Sequence, residues 1–436
     1  MTSPAAPVAA APDPSIRRNR TADATVTLLA DGVPLAGQEV VVAQRNHAFL
    51  FGCTGFEFIP LANGELSAEA TAGQTEAPGG SPAAAAEHLA GLWSGLFNFA
   101  TLPFYWGGFE PVRGRPDTER LRRTARWFVD QGCVVKGHPL AWHTVTADWL
   151  MELPNADIAR AQVARIQRET TGFAGLIDMW DVINEVVIMP IFDKYDNGIT
   201  RLCREMGRIP MVRMVFQAAR EANPHATLLL NDFDMSAAYE CLIEGVLEAG
   251  IEIDALGLQS HMHQGYWGEE ETLGVIDRFS RYGLPIHFTE TTIVSGDLMP
   301  KEIVDLNDFQ VPEWPTTPEG EARQADEVVR HYKTLLSHPS VQAMTYWGLT
   351  DGGWLGAPGG FVRVDGTPKP SYDALHSLIK GEWWLAPTTM VTDAEGRVRF
   401  DGFLGQYEVT AAGRTATFGL GETGEVTATV DLRRDR

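Results

Sequence analysis

Two glutamates, each placed directly after a short apolar run, are the residues that first suggest chemistry. Glu185 ends the run Met179-Trp-Asp-Val-Ile-Asn-Glu185, and Glu290 ends the run His287-Phe-Thr-Glu290. A carboxylic acid held among aromatic side chains is partly desolvated, which raises its pKa and suits it to act as a general acid near neutral pH. Glycoside hydrolysis needs two carboxyl groups that flank one bond, with retention at a separation of about 5–5.5 Å and inversion at a wider one. The pair therefore predicts a glycosidase.

Five histidines raise a second possibility. His138 and His143 flank Trp142, His261 and His263 form a His-x-His pair, and His287 precedes Glu290. A His-x-His pair on a barrel strand can bind zinc, as in metal-dependent hydrolases. In that class the pair is expected at the first strand, whereas here it follows the sixth apolar run. We therefore favour a hydrogen bond from His261 to a carboxylate, and we predict no metal and no cofactor.

Aromatic residues are frequent in the segments that follow the apolar runs. The flat C–H faces of sugar rings stack on such side chains. A single tryptophan is more typical of a core, but six aromatics in such segments predict a sugar-binding cleft: Phe104, Tyr105, Trp106, Trp142, Trp347 and Trp354.

The elements that must position these residues form a repeating pattern from about residue 48 to 380. Short apolar runs alternate with longer stretches of helical period, among them 117–131, 157–170, 210–221, 242–250 and 319–336. The eight runs are 49–53, 97–101, 134–137, 179–183, 227–230, 255–258, 285–288 and 343–346. Eight such units predict an α/β fold, the (β/α)8 TIM barrel. A doubly wound open sheet is the rival, but it often begins with a Gly-rich phosphate loop, which this chain lacks.

Polar residues cluster on one side of these runs. Most runs are followed by side chains suited to chemistry, as in Lys136-Gly-His138, Asn184-Glu185, Asn231-Asp232, Gln259-Ser-His261 and Thr289-Glu290. The carboxyl ends of barrel strands converge on one face, where active sites lie. We therefore expect these side chains to share one site.

The segments outside the repeat differ from it in composition and hydrophobic pattern. Residues 1–14 are rich in Ala and Pro and predict a disordered tail, while residues 15–47 predict a short N-terminal β-hairpin extension that turns at Asp31-Gly32. Residues 48–382 would form the catalytic domain. Residues 383–436 contain short alternating stretches and predict a small all-β, sandwich-like module. That module has few aromatics, so we expect a structural or interaction role more than carbohydrate binding.

Composition limits the partners. The net charge of −22 disfavours nucleic acid and anionic membranes. No run of about 18 apolar residues and no signal-peptide pattern occur in the sequence as given, so we expect a cytoplasmic protein, or a secreted one if a leader had been removed. The four cysteines form no Cys-x-x-Cys pair and no disulfide scaffold.

Several segments between residues 48 and 380 resemble glycoside hydrolase family 10, whose best-known members are endo-β-1,4-xylanases. Trp180-Asp-Val-Ile-Asn-Glu185 is similar to the acid/base motif of the family, and Thr289-Glu290-Thr-Thr-Ile293 is similar to its nucleophile motif. Other segments resemble the family in the same order along the chain: Lys136–His143, Leu230–Phe233, Gly257–His261, Trp347–Asp351 and Lys369–Asp373.

The resemblance implies a role for each matching residue. Glu185 would be the acid/base and Glu290 the nucleophile of a retaining mechanism, while His261 would hold Glu290 ionised and oriented. Asn184 would bind the sugar hydroxyl next to the reacting carbon. The other predicted substrate-binding residues are His138, Trp142, Gln259, Trp347, Trp354, Trp106 and Tyr105.

The chain departs from the family where the sugar is gripped. Family members usually carry a Glu-Asn-x-x-Lys cluster after the second strand, but this chain has Thr101-Leu-Pro-Phe-Tyr-Trp-Gly-Gly108, and Thr292 replaces an aspartate two residues after the nucleophile. Loss of polar contacts to the sugar weakens binding by on the order of 1–3 kcal/mol for each buried group left unpaired. The sequence thus predicts a xylanase-like hydrolase of β-linked carbohydrate. The alternatives are an intracellular glycosidase for small glycosides with a hydrophobic aglycone or for modified oligosaccharides, the metal-dependent hydrolase, and a non-catalytic carbohydrate-binding protein.

Overall fold

The computed structural model describes residues 13–66 and 81–433. Residues 1–12, which are most of the tail predicted at residues 1–14, lie outside the described residues, as do residues 67–80. The described chain divides into two units. One contains residues 50–66, 81–324 and 340–369, and the other contains residues 13–49, 325–339 and 370–433.

The strands and helices follow each other in a regular order. The strands are β1 (Thr21–Ala30), β2 (Val33–Pro34), β3 (Glu39–His47), β4 (Leu50–Thr54), β5 (Phe99–Pro103), β6 (Val134–His138), β7 (Met179–Asn184), β8 (Thr227–Asp232), β9 (Ala255–Met262), β10 (Ile286–Ile293), β11 (Val341–Tyr346), β12 (Thr388–Val391), β13 (Arg397–Phe403), β14 (Gly405–Ala411), β15 (Arg414–Leu420) and β16 (Gly424–Asp431). The α-helices are α1 (Pro14–Arg20), α2 (Ile59–Ala62), α3 (Pro82–Leu96), α4 (Trp106–Phe109), α5 (Thr118–Val129), α6 (Asn155–Gly172), α7 (Gly198–Met206), α8 (Arg208–Ala222), α9 (Ala237–Glu248), α10 (Glu269–Ser280), α11 (Pro318–Ser337) and α12 (Pro370–Ser377).

Strands β4 to β11 close into one parallel barrel. Neighbours in the chain are neighbours in the barrel, and β11 pairs with β4 to close it. Almost every residue of these strands is buried, as expected of parallel strands that are covered on both faces. The predicted (β/α)8 TIM barrel is confirmed, and each of the eight predicted runs contains or overlaps one of its strands.

The helices return the chain from one strand to the next. In α5 the buried residues Leu121, Thr124, Ala125 and Phe128 recur at helical spacing and form one inward stripe. Such returns keep all eight strands parallel, so that their carboxyl ends share one face of the barrel. The five predicted helical stretches each coincide with an observed helix.

Two barrel strands are irregular close to their glutamates. The register of β7 against β8 shifts between Asp181 and Ile183, and the register of β10 against β9 shifts between Phe288 and Glu290. A bulge of this kind redirects the side chains that follow it. Both candidate catalytic strands thus have an irregular register just before their carboxylates.

The other unit contains two sheets built from both ends of the chain. One has the order β13-β1-β16, with β2 also paired to β1, and the other has the order β12-β3-β14-β15. The two sheets share one core that includes Val26, Val42, Tyr407 and Val409. The sequence treated residues 15–47 and 383–436 as separate pieces, but their strands pair with each other.

The N-terminal segment also differs from the expected simple hairpin. Only Val33 and Pro34 fold back on β1, because β1 and β3 each place an alternating buried face in a different sheet. A helix, α1, precedes them at Pro14–Arg20 and is capped by the side chain of Asp13. Within residues 13–66 and 81–433, every helix is too short or too polar to cross a membrane.

Candidate active site

All but one of the predicted site residues are joined by hydrogen bonds or ring contacts at the carboxyl ends of the barrel strands. Trp106 is the exception. The joined residues are Tyr105, His138, Trp142, Asn184, Glu185, Gln259, His261, Glu290, Trp347 and Trp354.

Glu185 follows β7 in an unusual backbone conformation. Its φ is +57°, a left-handed value that few non-glycine residues adopt and that is enriched at functional sites. Its carboxylate accepts hydrogen bonds from Nε1 of Trp142 (2.8 Å) and from Nε2 of Gln259 (3.2 Å). Burial and then the negative charge of Glu290 raise the pKa of Glu185 to about 8. A carboxyl group that keeps its proton at neutral pH can donate it to a leaving group.

Glu290 lies on β10 and is 5% exposed. Its Oε1 accepts a hydrogen bond from Nδ2 of Asn231 (3.1 Å), and its Oε2 lies 3.1 Å from Nε2 of His261. Nε2 of His138 lies 3.8 Å from Oε1. These nitrogen atoms can stabilise negative charge on the carboxylate, as a nucleophile requires.

Asn231, at the end of β8, connects the two carboxylates. Its Nδ2 donates to both Oδ1 of Asn184 (2.7 Å) and Oε1 of Glu290. Asn184 in turn donates from Nδ2 to Oε1 of Glu185 (3.2 Å). A Cβ atom on Gly257 would clash with the Asn231 side chain, so the glycine gives Asn231 room to lie between the strands. The two glutamates therefore belong to one hydrogen-bonded group.

A buried charge network holds His138. Oδ2 of Asp181 lies 2.7 Å from Nδ1 of His138 and 2.8 Å from Nζ of Lys136. Burial alone would raise the pKa of Asp181, but Lys136 and His138 outweigh it and hold that pKa below its usual value. The ionised Asp181 thus orients His138, whose other nitrogen faces Glu290.

His261 is held from both sides. Its Nε2 faces Glu290, and its Nδ1 lies 3.1 Å from Oγ1 of Thr292. Both ring nitrogens therefore have partners, which agrees with the expected hydrogen bond to a carboxylate. Within the described chain, His, Cys, Asp and Glu form no cluster of three or more that could hold a metal ion.

Aromatic rings form walls around the two glutamates. The Tyr105 ring lies 5.6 Å from His138 and 5.5 Å from Trp142, and Trp347 lies 5.2 Å from His138. Trp354 packs on His261 at 4.5 Å. Burial, followed by the charges of Glu290, Glu185 and Asp181, raises the pKa of Tyr105 well above its ordinary value, so its hydroxyl stays protonated and can donate.

Trp106 does not join this group, contrary to the sequence-based expectation. Its Nε1 donates to Glu110 (3.2 Å), its ring packs on Trp149 at 5.5 Å, and the Arg165 guanidinium lies over it. Trp106 begins α4, where the backbone turns, so consecutive aromatics point in different directions. Phe104, also among the predicted cleft aromatics, is fully buried against Trp180.

Three residues of the site were missed as site candidates. Asn231 was noted only as a strand-end residue, Asp181 only as part of a motif, and Phe56 was not considered, although its ring contacts Tyr105 and Trp347. A carboxylate inside an apolar strand needs a buried partner, and that signal could have identified Asp181. The role of Asn231 depends on contacts across strands and has no comparable local signal.

The chain matches known proteins over the barrel. The family model described as glycosyl hydrolase family 10 matches residues 104–377. Endo-1,4-beta-xylanase B of Thermotoga neapolitana is 25% identical over 296 residues, covering 63% of this chain and 78% of that protein. Endo-1,4-beta-xylanase 3 of Hypocrea jecorina is 28% identical over 289 residues, covering 63% of this chain and 73% of that one.

The fold also resembles that of solved structures. The crystal structure of xylanase 10B from Thermotoga petrophila RKU-1 in complex with xylobiose superimposes with a TM-score of 0.59 at 19% identity. The match covers 76% of this chain and 94% of that one. At this identity the superposition shows the shared barrel, while the family model covers more than half of this sequence. The chain therefore belongs to glycosyl hydrolase family 10 and is a hydrolase of glycosidic bonds.

Proposed function

We propose that this protein is a retaining β-glycoside hydrolase that works by double displacement. Glu185 acts as the acid/base and Glu290 as the nucleophile. One observation carries the proposal: Glu185 directly after β7 and Glu290 within β10 belong to one hydrogen-bonded group, and the pKa of Glu185 is raised to about 8. Glu185 thus carries a proton to donate, while Glu290 is surrounded by hydrogen-bond donors. These are the properties of the acid/base and of the nucleophile in a retaining mechanism.

The same contacts suit both half-reactions. In the first, Glu290 attacks the anomeric carbon as Glu185 protonates the departing oxygen. Formation of the ester neutralises Glu290, so its charge no longer raises the pKa of Glu185. Glu185, which lost its proton to the departing oxygen, can then remain a carboxylate and accept a proton from the water that hydrolyses the glycosyl ester. Asn184 donates to Glu185 and is linked to Glu290 through Asn231, so it is placed to bind the hydroxyl next to the reacting carbon.

Replacement of the nucleophile tests this mechanism. We expect Glu290→Ala to lower kcat on an aryl β-glycoside by at least about 10³-fold, because the covalent route is lost. Azide added to the variant should restore turnover and yield the α-glycosyl azide, since it enters from the side of the missing carboxylate. Wild-type enzyme should release the β-anomer first, as read by proton NMR. Unchanged turnover in the variant, or initial release of the α-anomer by the wild type, would contradict the proposal.

We further propose that small glycosides with a hydrophobic aglycone, or modified oligosaccharides, are better substrates than plain xylan. After β5, where the family usually has a carboxylate, an amide and a lysine, this chain presents Tyr105, whose ring packs against Phe56. The hydroxyl of Tyr105 is close enough to Glu290 and Glu185 for their charges to contribute to its raised pKa.

Substrate comparison separates the two candidates. We expect kcat/KM on a β-glycoside with a bulky apolar aglycone to exceed that on xylan by at least about tenfold, because each missing polar grip weakens xylan binding by on the order of 1–3 kcal/mol. Release of xylobiose from xylan at a comparable kcat/KM would favour an ordinary endo-xylanase. Activity lost to a chelator and restored by zinc would instead favour the metal-dependent alternative, and sugar binding without turnover would favour a binding protein.

A further inference from the structure

An ion pair joins the two loops that follow the catalytic strands. The β7 loop (residues 185–197) follows the strand that leads to the acid/base, and the β10 loop (residues 294–317) follows the strand of the nucleophile. Nζ of Lys194 in the β7 loop lies 2.6 Å from Oδ2 of Asp305 and 2.6 Å from Oδ1 of Asp308 in the β10 loop. We call these three side chains the Lys194 bridge.

The β7 loop lies beside the acid/base. Tyr195 is the neighbour of Lys194 in the chain, and burial raises the pKa of its hydroxyl. The negative charge of Glu185 adds to this rise, so the two side chains are within electrostatic reach of each other. The ring of Phe192 packs on Tyr195 at 4.9 Å and on His143 at 4.6 Å. The segment that carries Lys194 is therefore held next to the group that protonates the departing oxygen.

The β10 loop is anchored at the end of β9. The backbone N–H of Met299 donates to the carbonyl oxygen of His263 (2.9 Å). Nε2 of Gln264 donates to the carbonyl oxygens of Pro300 and Ile303, each at 2.8 Å. The two anchoring residues directly follow β9, the strand that also carries the histidine in contact with the nucleophile. The β10 loop therefore contacts the end of β9 before it reaches Lys194.

The strands β7 and β10 divide the ring of barrel strands into two arcs. One arc contains β8 and β9, and the other contains β11, β4, β5 and β6. Because the two carboxyl groups flank the scissile bond, a long carbohydrate chain crosses the line between Glu185 and Glu290 and leaves the site over both arcs. Strands β8 and β9 are followed only by the short loops 233–236 and 263–268, so the β10 loop and the Lys194 bridge form the rim of the shorter arc.

We propose that the Lys194 bridge closes the cleft over the arc of β8 and β9. The inference rests on the proposed function and gives a physical reason for its preference for small glycosides. A short glycoside, or the end of an oligosaccharide, fits a cleft that is closed at one end, whereas an internal stretch of a long chain does not. An ion pair of partly exposed side chains is modest in strength and is screened by salt, so substitution or high ionic strength relieves the closure.

Two substrates of the same sugar test the closure: an aryl β-glycoside and the β-1,4-linked hexasaccharide, with the xylose and glucose series run in parallel. Lys194→Glu turns the attraction into repulsion. We expect it to raise kcat/KM for the hexasaccharide relative to the aryl glycoside by about threefold or more, and to add cleavage at internal bonds. Sodium chloride at about 1 M should have the same effect on the wild type. Combining Lys194→Glu with Asp308→Lys restores an attractive pair and should return the ratio toward the wild-type value.

Lys333→Glu is the matched control. The Lys333 side chain is 41% exposed, against 38% for Lys194, and its Nζ lies 3.7 Å from Oε2 of Glu382 in the unit that holds neither catalytic glutamate. The same charge reversal there should leave the ratio of hexasaccharide to aryl glycoside unchanged. Lys194→Met serves as a second variant if Lys194→Glu does not fold, and it should give a smaller rise in the ratio.

The outcomes separate this inference from the proposed mechanism. A ratio that stays the same in Lys194→Glu and at high salt would overturn the inference alone. Cleavage of internal bonds of the hexasaccharide by the wild type as often as bonds near its ends would also overturn it. Failure of the wild type to cleave either aryl glycoside would count against the proposed function itself, because a cleft that is closed at one end does not obstruct so small a substrate.

Discussion

At the scale of single residues, the environment of Glu185 combines opposing effects. Burial and the charge of Glu290 raise its pKa, whereas the hydrogen bonds from Trp142 and Gln259 lower it. The general acid must be protonated for the first step, so activity is present below its pKa and is lost as pH rises through it. The basic limb of kcat/KM against pH should therefore fall near pH 8.

Trp142→Phe should move that basic limb to higher pH. The substitution keeps an aromatic ring but removes the N–H group that stabilises the ionised carboxylate, so the pKa of Glu185 rises. A lost hydrogen bond of about 1 kcal/mol corresponds to a shift of roughly 0.7 pH unit. Trp149→Phe is the matched control, because Nε1 of Trp149 bonds the backbone carbonyl of Glu110 instead. A limb that stays in place or moves down in Trp142→Phe would contradict this account of the pKa.

Much of the site could be predicted from residue types at strand ends. Glu185, Glu290, Asn184, His261 and Gln259 were chosen in this way, and the structure brings them together. The sequence did not indicate which of the adjacent aromatics Tyr105 and Trp106 contacts the site. Both are aromatic, and the backbone turn into α4 determines which ring faces the carboxylates. Asn231 was not predicted as a site residue for a similar reason, since its hydrogen bonds are to residues of two other strands, β7 and β10.

At the scale of elements, the local sequence pattern was sufficient to predict the barrel but not to predict how strands pair in the unit that contains both ends of the described chain. Runs of buried apolar residues and helices of regular period determine a barrel nearly by themselves, because each strand pairs with its neighbours in the chain. The strands near the two termini alternate just as clearly, but alternation does not specify a partner. In the structure β1 pairs with β13 and β16, more than 360 residues later along the chain.

Val42→Asp should therefore destabilise strands from both ends of the chain together. Val42 is 1% exposed in β3, which lies between β12 and β14 at the centre of its sheet. A buried, unpaired carboxylate there should lower the free energy of unfolding by at least about 3 kcal/mol. Limited proteolysis should then cut the C-terminal strands as well as the N-terminal ones.

Val391→Asp provides the control for this experiment. Val391 is 68% exposed at the end of β12, so its substitution should change the free energy of unfolding by less than about 0.5 kcal/mol. If Val42→Asp exposed only residues 21–47 to protease and left residues 397–431 resistant, the claim that strands from both ends of the chain share these sheets would be contradicted.

At the scale of the whole molecule, the two units differ in how they use aromatic residues. The barrel presents Tyr105, Trp347 and Trp354 around its glutamates. In the other unit Tyr407 and Phe418 stack on each other at 5.4 Å, and Phe400 packs on both. Those rings pack in or against the core of that unit.

The overall charge is consistent with the proposed substrate. A net charge of −22 repels polyanions over several ångströms, so an uncharged glycoside meets less electrostatic opposition than an acidic polysaccharide. The family model covers residues 104–377, which contain every predicted catalytic and binding residue. The strands of the other unit, β1–β3 and β12–β16, lie outside that match.

The central claim is that Glu290 forms a covalent bond with the sugar while Glu185 handles the proton. Its most direct test is mass spectrometry of enzyme inactivated with an activated 2-deoxy-2-fluoro-β-glycoside, which slows hydrolysis of the intermediate. The account predicts that the intact protein gains the mass of one fluorosugar and that fragmentation places it on Glu290. A label on another residue, or turnover with no covalent adduct under these conditions, would contradict it.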